Sequence, residues 1–397
     1  MRELSDVVFV SAVRTPMGRF GGTLKDVKVY DIASFAIREA LRRADVSGDD
    51  VEDAVIASCR QAGNYVNPGR TAALKGGCGT HVPGVTINKA CPAGLKATSI
   101  ATMLIQVGQA EVVLCGGMES MSTIPHLIRG YRWQGFRLGS IQLEDGWSDA
   151  DDPVAGVSMG MTAENLVEKY GLTREEVDTF AAGSHHKAAA AQKNGWFDEE
   201  ITPVVIPAKG KTPEVVFEKD ESIRYEVDVA AMGKLRPVFK EGGCVTAGNS
   251  CGMTDGAAFL VAMSREEAAR RGLTPLFSVV GYTQAAVDGR FMGEGPGVSI
   301  PKVLERTGLK LADMDLLEVN EAFAAQILAN QQVLDWDPDK LNIHGGAIAL
   351  GHPTGCSGAR LLVTLYHALK RTDGELGIAS ICGGGGSTMA MIIRREN

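Results

Sequence analysis

The apolar and polar positions along the chain predict strands and helices that alternate. Continuous apolar runs at residues 7–13 and 53–58 predict buried strands. Between these runs, Ile37, Ala40 and Leu41 lie at the spacing of one helix face. Because strands and helices that alternate in this way pack in layers, the pattern predicts an α/β fold.

The stretch from residue 85 to residue 100 reads V-T-I-N-K-A-C-P-A-G-L-K-A-T-S-I. Its first three residues are typical of a strand end, and Leu95 and Ile100 continue at helical spacing. Cys91 is therefore expected where a strand turns into a helix. The free N–H groups and positive dipole end of a helix stabilise a thiolate, which predicts a lowered pKa for this thiol. An unreactive core cysteine is the ordinary alternative.

The last third of the chain repeats the order of the first third. A strand is predicted at residues 276–280, and Ile300, Val303 and Leu304 repeat the helix face of the first half. Further segments match in order: D-A-V-I-A-S from residue 53 with D-L-L-E-V-N from residue 315, C-P-A-G-L-K-A from residue 91 with G-C-S-G-A-R-L from residue 355, and C-G-G-M-E-S-M from residue 115 with C-G-G-G-G-S-T from residue 382. Matches that keep their order indicate a duplicated α/β domain.

The segment between the two similar halves is richer in charge. It carries a basic, aromatic stretch at residues 129–137 and an acidic run at residues 144–152. A segment this long that also carries helix signals predicts a loop domain inserted in the first half, lying over a site built by the core. The predicted division is a core domain at residues 1–120, completed by about 245–270, an inserted domain at residues 121–244, and a second core domain at residues 271–397.

Two helices are clearly signalled inside the inserted segment. One is expected to start near Thr162 and to end before Gly171. The next opens with Thr173 and Glu176, which have the spacing of a capping box, and is expected to end at Asn194.

Composition excludes several classes of protein. The net charge of −8 argues against nucleic acid or an anionic membrane as the main partner. The 8 cysteines form no C-x-x-C pair and no zinc-binding spacing, so neither disulfides nor a structural metal are expected. The N-terminus is acidic and polar, and no apolar run is long enough to span a bilayer. We therefore expect a soluble, cytoplasmic protein.

The chain resembles the thiolase family in motifs spread over its whole length. They are R-T-P-M-G-R-F-G-G, the Cys91 segment, G-G-M-E-S-M-S, M-T-A-E-N, K-L-R-P, V-T-A-G-N, N-E-A-F-A, G-G-A-I-A-L-G-H-P-T-G and C-G-G-G-G. The resemblance implies a duplicated core in five α-β-α-β-α layers with mixed five-stranded sheets, together with an inserted loop domain. It also implies a homodimer or homotetramer, with residues 129–137 at or near a subunit contact. A solvated basic loop is the ordinary alternative for these residues.

The resemblance assigns a catalytic role to several residues. Cys91 would be the acylated nucleophile, His352 would take its proton, and Cys382 would be the acid and base for the α-carbon. Asn320 would hold a water that shares an oxyanion hole with His352, and the N–H groups of Cys91 and Gly384 would form a second hole. The ordinary alternatives are a loop histidine bonded to backbone for His352 and a strand-end turn residue for Asn320.

Coenzyme A (CoA) would be substrate and product, without a metal or redox cofactor. The resemblance carries contacts for its adenine nucleotide end to Arg224, Phe239 and Ala247, for which a solvated charge and packing are the alternatives. In the pantetheine and acyl region it points to Ser158, Met159, Cys251 and Phe323. At Ser158 and Cys251 the chain departs from the commoner family motifs, so the preferred acyl-chain length stays open.

The activity implied is reversible thiolytic cleavage of 3-ketoacyl-CoA, or Claisen condensation of two acetyl-CoA, through an acyl-Cys91 intermediate. A ketoacyl synthase-like enzyme is one alternative, but it would be expected to carry a second essential histidine in place of N-E-A-F at residues 320–323. The other alternative is a non-catalytic acyl-CoA carrier of the same fold, which would have no use for two reactive thiols.

Overall fold

The computed structural model describes residues 6–147 and 151–396. Residues 1–5 and Asp149 of the acidic run therefore lie outside the described residues. The strands are β1 (Val7–Arg14), β2 (Gly18–Arg19), β3 (Asp53–Ala57), β4 (Val85–Ile87), β5 (Val112–Ser120), β6 (Asp151–Asp152), β7 (Val157–Ser158), β8 (Val204–Ile206), β9 (Val215–Phe217), β10 (Thr254–Ser264), β11 (Phe277–Ala286), β12 (Leu316–Val319), β13 (Leu376–Cys382) and β14 (Ser387–Arg395). The helices are α1 (Val29–Arg43), α2 (Pro68–Lys75), α3 (Ala93–Gln106), α4 (Tyr131–Gln134), α5 (Met159–Tyr170), α6 (Arg174–Lys193), α7 (Val229–Met232), α8 (Arg265–Arg270), α9 (Gly295–Thr307), α10 (Ala324–Leu334), α11 (Ala347–Leu350) and α12 (Thr354–Thr372).

The two halves of the chain build sheets of the same topology. In the first half β3 runs parallel to β4 and β5, while β10 runs antiparallel to β5 and β1. In the second half β12 runs parallel to β13, and β14 runs antiparallel to β13 and β11. A short antiparallel contact between β1 and β11 joins the halves. The repeated order and directions confirm the duplicated mixed α/β fold.

The second sheet differs from the predicted five strands at one edge. Where the first half has β4, the second half has only an isolated parallel bridge from Leu317 to Leu341 among the described residues. Asn342 follows with a positive φ of 42°. Its side chain accepts from the backbone N–H of Val319 at 2.9 Å and donates to the carbonyl of the same residue at 2.9 Å. One carboxamide thus makes the edge bonds that a longer strand would make.

Helices α3 and α12 form the middle layer between the two halves. One apolar core joins them to strands of both halves, whereas α1 and α2 cover the outer face of the first half and α9 and α10 that of the second. A methyl group on Gly94 would lie 2.4 Å from the backbone nitrogen of Ala359, and one on Gly358 would lie 2.4 Å from that of Leu95. Glycine at both positions allows the two backbones to approach this closely.

The inserted segment runs between β5 and β10 and packs against the second half. Its helix α6 begins after Thr173, whose side chain forms the predicted capping box with Glu176, and ends at Asn194 as expected. Helix α5 begins at Met159, earlier than predicted, because the Ser158 side chain caps its first turn. The domain boundaries given above stay predictions. Over the described ranges, no helix is both long and apolar enough to cross a bilayer.

Candidate active site

A cavity of about 550 Å³ lies between the core and the inserted segment. Its walls come from the turn after β4, the end of β13, the residues before α12 and the start of α5. Most of the residues singled out from the sequence line it: Cys91, Ser158, Met159, Phe239, Cys251, Phe323, His352, Cys382 and Gly384. Residues from both halves of the duplicated core therefore meet at one apolar cavity.

Cys91 occupies the junction between β4 and α3 that the sequence predicted. The residue before it, Ala90, has a positive φ of 50°, which is strained for a residue with a side chain. Asn88 holds this conformation, because its side-chain oxygen accepts from the Ala90 backbone N–H at 2.9 Å. The Ala90 carbonyl in turn accepts from the N–H of Ala93 at 2.9 Å. The turn presents the thiol at the cavity wall ahead of the helix.

The expectation of a lowered pKa for Cys91 is wrong. Removal of the thiol from water raises its pKa to about 11, although the backbone N–H groups of Gly384 and of Cys91 itself favour the thiolate. The helix-end effect that the sequence suggested is thus present but smaller than the cost of burying a charge. Cys91 therefore rests as a thiol, and a thiol needs a base before it can act as a nucleophile.

His352 lines the same cavity, and its ring is fixed by Ser357. Nδ1 of His352 lies 2.6 Å from the Ser357 hydroxyl, and that hydroxyl donates its own hydrogen to the Pro353 carbonyl at 3.0 Å. Ser357 must therefore accept, so Nδ1 carries the hydrogen and Nε2 has a free lone pair. Nε2 is buried and has no hydrogen-bond partner among the described residues. Burial, with the charge of Arg360, lowers the pKa of His352 to about 3.

Cys382 ends β13 and is almost completely buried. Burial raises its pKa far above the ordinary value, and the nearby thiols of Cys91 and Cys251 act in the same direction. Cys382 therefore rests as a protonated thiol, a group that can act as an acid and, after giving up its proton, as a base.

Asn320 lies directly after β12, where its backbone N–H donates to the Ser380 carbonyl at 2.9 Å. Its side chain is fully buried, and neither its oxygen nor its nitrogen has a hydrogen-bond partner in the described part of the chain. Buried carboxamides are normally satisfied, so this side chain is not explained by packing alone. The structure does not bring it to the wall of the cavity itself. Its role in binding a water stays a prediction.

Only one of the three residues predicted to contact the adenine nucleotide end of CoA lines the cavity. Phe239 lines the cavity and packs edge-on against Phe323, with ring centres 6.5 Å apart. Arg224 and Ala247 are exposed and do not line the cavity. For those two residues a CoA contact stays a prediction.

Sequence reasoning missed the role of Glu119, which lies in the G-G-M-E-S-M-S motif. Its buried carboxylate accepts from the backbone N–H groups of Cys59 at 2.9 Å, Arg60 at 3.1 Å and Gly355 at 2.9 Å, and from the Thr354 hydroxyl at 2.8 Å. Glu119 thereby ties the loop after β3 to the start of α12. The signal available in the sequence was an acidic residue inside a family motif.

Two further residues of the cavity carried no signal in the sequence. The guanidinium carbon of Arg60 lies 4.2 Å from the centre of the Trp147 ring, and both residues line the cavity. Such a stacked cation is held electrostatically by the ring. The charge of Arg60 also favours the Cys91 thiolate, without overcoming burial.

The cavity brings together groups that can exchange protons and donate hydrogen bonds. It has two protonated thiols, a neutral imidazole with a free nitrogen, and backbone N–H groups directed at one of the thiols. Within residues 6–147 and 151–396, no group of three or more His, Cys, Asp or Glu side chains could hold a metal ion. The arrangement suits transfer of an acyl group through a cysteine thioester. Fold and site thus define a thiol-dependent acyltransferase.

Comparison with known proteins identifies the family. Residues 7–266 match the model of the thiolase N-terminal domain, and residues 273–395 match that of the thiolase C-terminal domain. The chain is 46% identical over 395 residues to an acetyl-CoA acetyltransferase from Cupriavidus necator, covering 99% of this chain and 100% of the relative. It is 44% identical over 394 residues to a probable acetyl-CoA acyltransferase from Staphylococcus aureus, with 99% and 100% covered.

Solved structures give the same result. The crystal structure of the Bacillus anthracis acetyl-CoA acetyltransferase superposes with a TM-score of 0.97 at 45% identity, and all of both chains is covered. Human mitochondrial 3-ketoacyl-CoA thiolase superposes with a TM-score of 0.95 at 40% identity, again over 100% of both chains. This chain belongs to the thiolase family.

Proposed function

We propose that this acyltransferase cleaves 3-ketoacyl-CoA with CoA and, in reverse, condenses two acetyl-CoA to acetoacetyl-CoA. The observation that supports it most directly is that Cys91, His352 and Cys382 line one cavity. The two thiols and the imidazole are the groups that this chemistry requires. The relatives named as acetyl-CoA acetyltransferases support acetyl transfer in particular.

The first half-reaction moves the acyl group to Cys91. Nε2 of His352 takes the proton from the Cys91 thiol as sulfur attacks the 3-keto carbon, and the N–H groups of Cys91 and Gly384 stabilise the oxyanion. When the carbon–carbon bond breaks, the acetyl-CoA enolate takes a proton from the Cys382 thiol. The protonated Nε2 of His352, with a water on Asn320, stabilises the enolate oxygen. The products are acetyl-CoA, acyl-Cys91, a His352 imidazolium and a Cys382 thiolate.

The second half-reaction returns every group to its starting state. The Cys382 thiolate takes the proton of an incoming CoA thiol, and the CoA sulfur attacks the acyl-Cys91 thioester. Cys91 leaves as a thiolate and recovers its proton from His352. Protons and charges balance over the cycle, so CoA is required as a substrate and no other cofactor is needed.

We further propose that the protein is a cytoplasmic homodimer or homotetramer whose partners are acyl-CoA and CoA. The net charge of −8 supports neither nucleic acid nor a membrane as partner. Within residues 129–137, Trp133 is 88% exposed and Phe136 is 52% exposed, and apolar side chains at such exposure suit a contact between subunits.

One assay tests the proposed activity. The protein is mixed with acetoacetyl-CoA and CoA, and loss of the substrate's ultraviolet absorbance is followed. Turnover that depends on both substrates is expected, and it should disappear when Cys91 is replaced by Ala. CoA binding without any turnover would contradict the proposal and favour the carrier alternative.

A further inference from the structure

Asp152 joins the inserted segment to the glycine turn that follows Cys382. It lies in β6 and is only 5% exposed. One carboxylate oxygen accepts from the backbone N–H groups of Val154 at 2.8 Å and Ala155 at 3.0 Å. The other accepts from the N–H of Gly385 at 2.8 Å, across 233 positions of sequence. A single buried carboxylate thus bonds to two separate backbone segments.

The segment that Asp152 reaches is a turn made entirely of glycine. Residues 383–386 are all glycine, and the turn is closed by a bond from the Gly386 N–H to the Gly383 carbonyl at 3.1 Å. Gly385 adopts a positive φ of 74°. Glycine restricts its backbone least of all residues, so such a turn needs outside contacts to hold one conformation. The bond from Asp152 fixes the peptide unit that directly follows Gly384.

Gly384 is the residue of this turn that faces Cys91. Its backbone N–H lies against the Cys91 thiol and favours the thiolate. An oxyanion donor must be held in place before the reaction, because a donor that has to reorganise loses most of its effect. The Gly384–Gly385 peptide unit shares the Gly384 α-carbon with the unit that carries this donor. Fixing it therefore restricts how the N–H beside Cys91 can turn.

We propose that Asp152 is a positioning residue that holds the Gly384 N–H against Cys91 through its bond to Gly385. Its catalytic consequence rests on the function proposed above, but its effect on the Cys91 thiol does not. The bonds to Val154 and Ala155 alone would be explained by an ordinary side-chain turn at 152–155. The bond to Gly385 has no part in that turn.

Asp152→Asn separates the two sets of bonds. The Asn oxygen still accepts from Val154 and Ala155, so the local turn is kept, whereas the Asn NH2 group cannot accept from the Gly385 N–H. Asp152→Ser is a second variant, whose shorter hydroxyl caps the local turn without reaching Gly385. Asp151→Asn, at the exposed neighbouring position, is the control for charge.

The first measurement is the pH profile of Cys91 alkylation by iodoacetamide, followed by mass spectrometry of its peptide. Loss of the N–H contact disfavours the thiolate, so the profile of Asp152→Asn should move to higher pH by about half a unit or more. The other titratable or charged groups that face Cys91 are Cys59, Arg60, Glu119, Cys251, His352 and Cys382, and the substitution changes none of them. Asp151→Asn should keep the wild-type profile.

The second measurement is the steady-state rate. In Asp152→Asn we expect kcat for thiolysis to fall about tenfold, part of what complete loss of an oxyanion donor costs, with KM for CoA within about twofold. An unchanged alkylation profile in both Asp152 variants would overturn the proposal, even if kcat or thermal stability fell. If the wild type lacked thiolase turnover but the profile still moved, the positioning role would stand and only the proposed function would fail.

Discussion

His352 donates its Nδ1 hydrogen to the hydroxyl of Ser357, 2.6 Å away and one helical turn into α12. The bond selects the tautomer in which Nε2 keeps a free lone pair, as the proposed role of His352 as base requires. Without it, a neutral imidazole could carry its hydrogen on either nitrogen, and only one of the two tautomers is a base toward the cavity.

Ser357→Ala should therefore slow both half-reactions. The buried Nδ1 hydrogen loses its acceptor, so we expect the rate of Cys91 acetylation and of thiolysis to fall about tenfold. Ser357→Thr keeps the hydroxyl and should recover most of the rate. Single-turnover acetylation from labelled acetyl-CoA measures the effect, and equal rates in Ser357→Ala and wild type would contradict the tautomer assignment.

Cys382→Ser should separate carbon chemistry from acyl transfer. Acetyl exchange between CoA and Cys91 moves no proton at carbon. It asks Cys382 only to exchange a proton with the CoA thiol, which water can also do, so this exchange should persist at a reduced rate. Thiolysis of acetoacetyl-CoA should fall about 100-fold to 10,000-fold, because a hydroxyl is far too weak an acid for the enolate.

His352→Ala is the matched comparison for this variant. It removes the base for Cys91, so both acetyl exchange and thiolysis should be impaired. If Cys382→Ser lost both reactions equally, Cys382 would be serving Cys91 or the fold, and the assignment of the α-carbon proton to it would be wrong.

Gly358→Ala should destabilise the middle layer. The added methyl would lie 2.4 Å from the Leu95 backbone nitrogen, so α3 and α12 must separate, which we expect to cost about 3 kcal/mol of unfolding free energy. Gly183→Ala in α6 is the control, because its methyl would meet no atom within 4 Å and should stabilise the helix by about 0.5–1 kcal/mol. Urea unfolding compares the two, and equal effects would contradict the close approach.

His344→Gln should make the protein less sensitive to acid. Burial, with the charge of Arg371, lowers the pKa of His344 from 6.5 to about 3, so the unfolded chain binds an extra proton between these values. Stability falls as pH drops through that window, and this histidine should account for about 2 kcal/mol of the loss between pH 7 and pH 5.

In the wild type, Nε of Arg371 lies 2.9 Å from Nε2 of His344. In His344→Gln the carboxamide oxygen can still accept from Arg371, but a carboxamide does not titrate. Urea unfolding at pH 7 and pH 5 gives the loss of unfolding free energy between these two pH values, in the variant and in the wild type. An equal loss of stability in variant and wild type would show that His344 is not held neutral in the fold.

The assembly is expected to be larger than one chain. Light scattering at micromolar concentration should give the mass of a dimer or tetramer, and replacing the exposed Trp133 and Phe136 together by Ser should reduce it. A monomer in the wild type would remove the proposed assembly, and an unchanged mass in the double variant would remove residues 129–137 from the contact.

The local structure and the duplication follow from the sequence alone. Cys91 was expected between a strand and a helix, and the structure has β4 ending at Ile87 and α3 beginning at Ala93. The capping box of Thr173 and Glu176 was expected and formed. These signals succeed because the residues that decide them lie within one or two turns of each other.

Which groups meet in the site, and how they are charged, depends on the folded chain as a whole. The bond from Asp152 to Gly385 spans 233 positions, and the carboxylate of Glu119 reaches Thr354 across 235. The raised pKa of Cys91, opposite to expectation, follows from the protein that surrounds the thiol and not from the helix that begins beside it. Burial and long-range contacts depend on how the whole chain packs, and desolvation of a charge outweighs the local field of a helix end.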